Sequence, residues 1–169
     1  MSILNPDKHG PLIKQLSRFC AVAGIPVKYV ETSMKPYCTE SQIKWVVDYR
    51  KDRQSSGGLV VSGENAREQC LAIGGALLRD YIDVRVRHLD TVLSNRDDAL
   101  AASVLVIPDF YITTMGSLQK WESRALFGLL GERSSSAKPT IVVVDSLKAL
   151  GTAYGSHFVD FLTTTYTPS

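Results

Sequence analysis

GGLVVSGENAREQ, residues 57–69, joins a short apolar run to the first turn of an amphipathic one, and the rest of the chain is read outward from it. Leu59-Val60-Val61 predicts a buried strand, and the spacing of Cys70, Ile73, Leu77 and Tyr81 predicts one face of a following helix. Between such a strand and helix, a phosphate-binding loop reads G-x-x-x-x-G-K-[ST]. Its glycines admit backbone N–H groups to the phosphates, its lysine reaches the outer phosphates and its hydroxyl holds magnesium. Here only Gly63 is present. No lysine occurs between Lys51 and Lys120, so no shift of register supplies the charge. The stretch predicts nucleotide-binding architecture without phosphate chemistry.

Downstream, the helix predicted to Tyr81 contains Gly74-Gly75, each costing about 1 kcal/mol against alanine in a helix interior, and close packing on a sheet is the expected reason. Asp83 to Arg87 alternates Val84 and Val86 with Arg85 and Arg87, the pattern of a strand with one exposed face or of an edge strand. Val104–Ile107 and Ile141–Val144 are continuous apolar runs, as in parallel strands covered on both faces. Leu118, Trp121, Ala125, Leu126 and Leu129 predict a helix before the last strong strand, with Ser134–Ser136 as a loop after it. Tyr154, Phe158, Phe161 and Leu162 predict one short helix near the end. Strand-then-helix repetition implies an α/β fold of three layers, a mainly parallel sheet with helices on both faces and right-handed crossovers.

Upstream, Asn5-Pro6 and Gly10-Pro11 predict an irregular start and then a helix. Leu12, Ile13, Leu16, Phe19 and Ala23 fall at helical spacing, with Lys14, Gln15 and Arg18 on the other side. That stripe either packs on the domain or docks a partner. Ala23-Gly24-Ile25-Pro26 ends the helix, and the chain to Cys38 is expected to be extended or irregular around Pro26 and Pro36. Thr39-Glu40-Ser41-Gln42 has the capping-box pattern and opens a second helix, with Ile43, Val46 and Val47 inward and Lys44, Asp48, Arg50 and Lys51 solvated. Arg53–Gly58 is expected as a flexible turn. The expected organisation is a helical extension over residues 1–22 and an α/β domain over 23–169.

With 169 residues, 44% hydrophobic and 21% charged, the chain suits one ordinary domain with its own core. A net charge of +2 gives no concentrated basic face. No apolar run approaches the roughly 18 residues of a membrane span, and residues 1–10 lack a signal-peptide core, so a cytoplasmic location is expected. Cys20, Cys38 and Cys70 are odd in number and widely spaced, against a disulfide framework or zinc site. His9, His88 and His157 have no companion ligands at metal spacing, and Ser62 and Ser94 have no visible base. No metal and no cofactor is expected. Arg79, Arg85 and Arg87, beside His88, are the candidate DNA-contacting residues, although interleaved Asp80, Asp83 and Asp90 favour a solvated face.

Several of these segments together resemble the DnaC/IstB-type helicase loaders, which are AAA+ P-loop ATPases. Ala23-Gly24-Ile25-Pro26 with Tyr29 is similar to their A-G-I-P-x-x-Y segment, and Gly57–Val61 to the strand before their phosphate loop. Val104–Asp109 resembles their metal-binding strand, and Trp121–Arg133 and Lys138–Asp145 the helix and sensor strand that follow. The resemblance covers about residues 23–162. The departures all concern chemistry. Glu68 and Gln69 stand for the lysine and its hydroxyl neighbour in a loop one residue short, and Pro108-Asp109 stands for two adjacent acids. Asp145 replaces the sensor asparagine, and Phe161 aligns with the arginine that reaches a neighbouring subunit's nucleotide. Asp109 and Asp145 are thus remnant acids, and Arg67 is the one cation near the loop. Phosphoryl transfer depends on positioning and charge stabilisation, so the resemblance implies the fold without ATP hydrolysis.

Only some 22 residues precede the A-G-I-P segment, where cellular loaders carry a helicase-binding domain. A compact chain with a dismantled site resembles the replication protein B family of temperate tailed coliphages of the peduovirus type. That resemblance implies a phage replication protein acting as a non-hydrolysing adaptor or loader for the host replicative helicase, with single-stranded DNA as a further possible partner. The expected helicase contact is Leu12, Ile13, Leu16 and Phe19, since a helix in a groove is recognised through such spacing. The rival readings are an ATPase with an atypical loop, and a DNA-binding or transposition accessory module.

Overall fold

The computed structural model describes residues 2–54 and 57–169. Asn5 starts the helical part: its side chain accepts from the Asp7 N–H at 2.8 Å, and Pro6 takes the first helical position, where no donor is needed. Helix α1 (Pro6–Lys14) is kinked at His9, and a break at Gln15 separates it from α2 (Leu16–Ala23). Gly24, at φ 74°, closes α2 by donating its N–H to the Cys20 and Ala21 carbonyls. Beyond it the chain does not remain extended as expected: Val27–Glu31 forms α3. So short a helix is held from outside, because Arg79 Nη1 donates to the Tyr29, Val30 and Thr32 carbonyls at its C-terminus.

Helix α4 (Glu40–Lys51) begins with the predicted capping box, Thr39 Oγ1 accepting from the Gln42 N–H while Gln42 accepts from the Thr39 N–H. Its buried residues are Gln42, Trp45, Val46 and Tyr49, so the inward face is rotated from the expected Ile43, Val46 and Val47. The aromatics turn inward because each carries a large apolar body, and the Trp45 N–H finds the Gly57 carbonyl at 2.9 Å. Of the turn expected over Arg53–Gly58, Ser55 and Ser56 lie outside the described residues.

The α/β part follows as β1 (Leu59–Val61), α5 (Ala66–Arg79), β2 (Val84–Val86), α6 (Leu89–Ser94), α7 (Arg96–Ala101) and β3 (Val104–Tyr111). It continues with α8 (Lys120–Ser135), β4 (Thr140–Val144), α9 (Leu147–Tyr154), α10 (Ser156–Thr165) and β5 (Thr167–Pro168). Ser134 and Ser135 belong to α8 rather than to a loop, and Gly155, at φ 116°, splits the expected terminal helix region into α9 and α10. The five strands form one all-parallel sheet in the order β2-β3-β4-β1-β5, with β2 at the edge as its alternating pattern predicted.

Successive strand residues point to opposite faces, and two apolar layers result. Leu59, Val61, Val104, Val106, Ile141 and Val143 meet α1–α5, including Leu12, Cys20 and Ala23 of the first two helices. Val60, Leu105, Ile107, Val142 and Val144 meet the helices α6–α10. This is the expected three-layer α/β architecture. Gly74 and Gly75 do serve close packing, but chiefly against α3: a Cβ on Gly75 would stand 2.1 Å from the Tyr29 carbonyl oxygen, and one on Gly74 2.8 Å from Ile25 Cδ1.

Candidate functional site

The loop from β1 to α5 is Ser62–Asn65, all exposed. Gly63 adopts φ 106°, with open space where a Cβ would be, so glycine is needed there for the dihedral and not for room. The Ala66 N–H donates to the Gly63 carbonyl at 3.3 Å, and no side chain caps α5. Glu64 and Glu68 are exposed at this helix start, with Arg67 the adjacent cation. Two carboxylates oppose an incoming phosphate, offsetting the favourable helix terminus.

Gln69, expected to stand for the phosphate loop's magnesium-holding hydroxyl residue, is tied down. Gln42 Nε2 donates to Gln69 Oε1 at 3.0 Å and to Ser169 Oγ at 3.2 Å, while the Ser169 N–H and Oγ both donate to the Val60 carbonyl at 3.0 and 3.1 Å. One buried glutamine therefore bridges α4, α5 and the residue after β5, beside the loop. The capping box drew attention to Gln42 only as a local cap; its unused amide donors were the sign that it had further partners. Cys38 Sγ lies 3.6 Å from the Gln69 carbonyl, and burial pushes its thiol up to about 11 and that of Cys70 higher still, so both are neutral packing groups.

The remnant acids hold backbone. β3 runs through Pro108 and Asp109 to Tyr111, with an irregular register against β4 that suits a proline lacking a ladder donor. Asp109 Oδ1 accepts from the Leu89 N–H at 2.8 Å, and Oδ2 lies 3.5 Å from His88 Nδ1, so this carboxylate serves the start of α6. Asp145 Oδ2 accepts from the Thr113 N–H at 2.7 Å. Among the described residues no cluster of His, Cys, Asp or Glu is placed to hold a metal. Phe161 packs edge-on against Phe127 and Tyr166 at 5.6 and 5.7 Å.

The arginines expected to contact DNA are committed internally. Arg79 caps the C-terminus of α3. Arg85 pairs with Asp83 and Asp98, and Arg87 pairs with Asp98 at 2.9 Å and donates to the Val22 carbonyl at 2.8 Å. These contacts occupy donors that a phosphate would otherwise use. Burial pushes the Asp98 carboxyl up, but hydrogen bonds and charge from Arg87 and Arg85 outweigh it and hold the group below the usual carboxylate range.

The N-terminal stripe is divided by the break at Gln15. Leu12 is fully buried, Leu16 and Phe19 are half-buried against the same core, and Ile13 alone is exposed, at 39%. By contrast, Trp121, one of the residues whose spacing predicted this helix, is 62% exposed at the first turn of α8. Lys120 and Arg124 flank it in sequence, and Lys148 lines a cleft of about 490 Å³ together with Tyr111, Ser117 and Ser146. None of these three cations forms an ion pair among the described residues. Its place at a helix start between two cations was the sequence signal for Trp121.

No protein-family model matches the chain, and no curated protein matches it in sequence. Solved structures do match. A DNA replication initiation factor superimposes with a TM-score of 0.66 at 11% identity, over 85% of this chain and 50% of its own. DnaI gives a TM-score of 0.66 at 10% identity, over 85% of this chain and 89% of its own. The fold is AAA+-like. The replication initiator DnaA, solved with AMPPCP and single-stranded DNA, gives 0.64 at 11% identity over 80% of this chain and 49% of its own. The chain spans about half the length of the initiation factor and of DnaA.

Proposed function

We propose that this chain is a DNA replication protein of the DnaC-like kind, a non-hydrolysing adaptor or loader for the replicative helicase, the host's helicase where the gene is carried by a phage. The observation that carries the reading is the nucleotide loop: it has no lysine, presents Glu64 and Glu68, and has Gln69 bridged by Gln42 to Ser169. Phosphoryl transfer needs a cation on the outer phosphates and magnesium held by adjacent acids, and Asp109 instead caps α6. Likeness in fold to DnaI and DnaA supports a role in replication by analogy. Co-elution with a purified helicase hexamer, with and without ATP, tests it. A complex in both conditions is expected; no complex in either refutes the adaptor role. Binding of Mg-ATP to the isolated chain, with Arg67 as the stand-in cation, would instead favour the atypical ATPase.

A second reading, a module for single-stranded DNA, is favoured by Trp121 with Lys120, Arg124 and Lys148. Aromatic stacking and unpaired cations suit a single strand. The only other tryptophan, Trp45, is buried, so quenching of intrinsic fluorescence by a thymidine oligonucleotide reports on Trp121. Salt-sensitive quenching that Trp121→Ala and Arg124→Glu abolish is expected on this reading. Absence of quenching at low salt removes it.

A further inference from the structure

Alongside the break between α1 and α2 runs an apolar groove that the site above does not use. Its larger part, about 550 Å³, is lined by Phe19, Val22, Leu78, Tyr81 and Val84, with Arg18 at the rim. A second hollow of about 330 Å³, lined by Gly10, Pro11 and Lys14, continues it and shares Gln15 and Phe19. Val22 is 59% exposed and Tyr81 45%, both large apolar surfaces for a monomer to leave in water. Tyr81 also holds φ 59°, a left-handed conformation unfavourable for a tyrosine. That geometry sets its ring edge-on to Phe19 at 6.4 Å and its hydroxyl to accept the Leu12 N–H at 3.3 Å, so the groove wall is fixed in place.

The occupant is constrained in two ways. β2 borders the groove as an edge strand, but two of its outward backbone groups are taken. The Val84 N–H turns back to the Ile82 carbonyl at 2.8 Å. The Val86 carbonyl accepts from Arg87 Nη1 at 3.0 Å and stands 2.7 Å from where a Cβ on Gly24 would lie. An added strand would lose those two bonds and meet the close approach of Gly24, whereas a helix brings its own backbone bonds satisfied. The charge is also one-sided. Lys14 and Arg18 stand on the rim with no ion pair among the described residues, Arg18 making a 3.4 Å bond to Gln15. Asp83, the acid lining the groove, is already held by Arg85.

We propose that this groove receives one amphipathic α-helix of a partner protein, its apolar side chains at i, i+3/i+4 and i+7 seated between Val22 and Tyr81 and its carboxylates facing Lys14 and Arg18. The proposal deepens the adaptor reading and rests on it only for which protein carries the helix.

The test uses a labelled, helix-stabilised peptide of about 18 residues, leucine-faced with glutamate flanks, against the same peptide with lysine flanks. Fluorescence anisotropy with the full chain is expected to favour the glutamate peptide by at least about tenfold. Lys14→Glu/Arg18→Glu reverses that order, and Val22→Asp abolishes both; the three residues are exposed, and unchanged circular dichroism and melting confirm the fold. Equal binding of the two peptides, or binding that survives Val22→Asp, overturns the proposal. Helicase co-elution separates the two inferences. A helicase complex lost in Val22→Asp places the helicase's helix in the groove, and one retained by that variant overturns the groove as its contact while leaving the adaptor reading intact. Groove-dependent peptide binding with no helicase complex in any condition removes the adaptor reading and leaves the groove.

Discussion

Arg133 is the most consequential single side chain. It is fully buried in α8 and forms no ion pair with a carboxylate among the described residues; its guanidinium donates to the Ala99 and Ala102 carbonyls at 2.7 Å, to Pro139 at 3.0 Å and to Thr140 Oγ1 at 2.9 Å. Burial pushes its pKa down to about 10, which still leaves it charged at neutral pH. Arg133→Met strands several buried carbonyls and is expected to cost about 3 kcal/mol or more in urea unfolding. Lysine should rescue little of this, since a point charge cannot reproduce the planar fork. Asp98 gives the pH dependence. Against the opposing effect of burial, Arg87 and Arg85 hold its folded pKa below the ordinary aspartate value. Its contribution is therefore complete above that ordinary value and is lost as the pH falls through the depressed folded one. Asp98→Asn is expected to lower stability at neutral pH and flatten the acid limb of a pH–stability profile; an unchanged limb would show that the carboxylate is not coupled to folding.

Among the elements, α5 approaches α3 closely enough that glycine decides the contact. Gly75→Ala gains about 1 kcal/mol in helix propensity. Against that, its Cβ would meet the Tyr29 carbonyl oxygen at 2.1 Å, a backbone atom that cannot swing aside. Overpacking of this kind costs about 1–3 kcal/mol and forces the helices apart, so a lower melting temperature is expected. Gly128, exposed on α8, has nothing within 4 Å of the place a Cβ would take and so lacks the opposing clash. Gly128→Ala should raise stability by up to about 1 kcal/mol, and the opposite signs of the two substitutions in matched thermal melts check the argument. The existence of α3 is an element-scale fact that local pattern could not supply. Its five residues fall between prolines, and its C-terminal carbonyls are satisfied by an arginine some fifty residues away.

For the molecule as a whole, the proposed non-hydrolysing reading rests on several departures from a phosphate-binding site at once, so on that reading repairing one should not create turnover. Glu68→Lys/Gln69→Thr returns the two missing side chains but leaves the loop short, Pro108 beside Asp109, and Asp109 on the Leu89 N–H. No hydrolysis of Mg-ATP above the unrepaired chain is expected in a phosphate-release assay. Measurable turnover would mean that the loop side chains were the whole defect.

The order of residues was enough to dictate the layered α/β architecture, because continuous apolar runs alternating with helical patterns pack as strands covered on both faces. It also dictated the start of α4, because a capping box is complete within four residues. The absence of a lysine from the loop is likewise a fact of sequence. Which charges remained free was settled only by the packing of distant segments. Arg85 and Arg87 look like a basic patch until Asp83 and, on α7, Asp98 pair with them, whereas the apolar spacing that includes Trp121 does not show that α8 turns this residue outward. Packing settled, too, that Leu12 is core while Val22 and Tyr81 border a groove. Periodicity states that a helix has an apolar face; only the packing of α2 against α5 and β2 fixes how much of that face is covered.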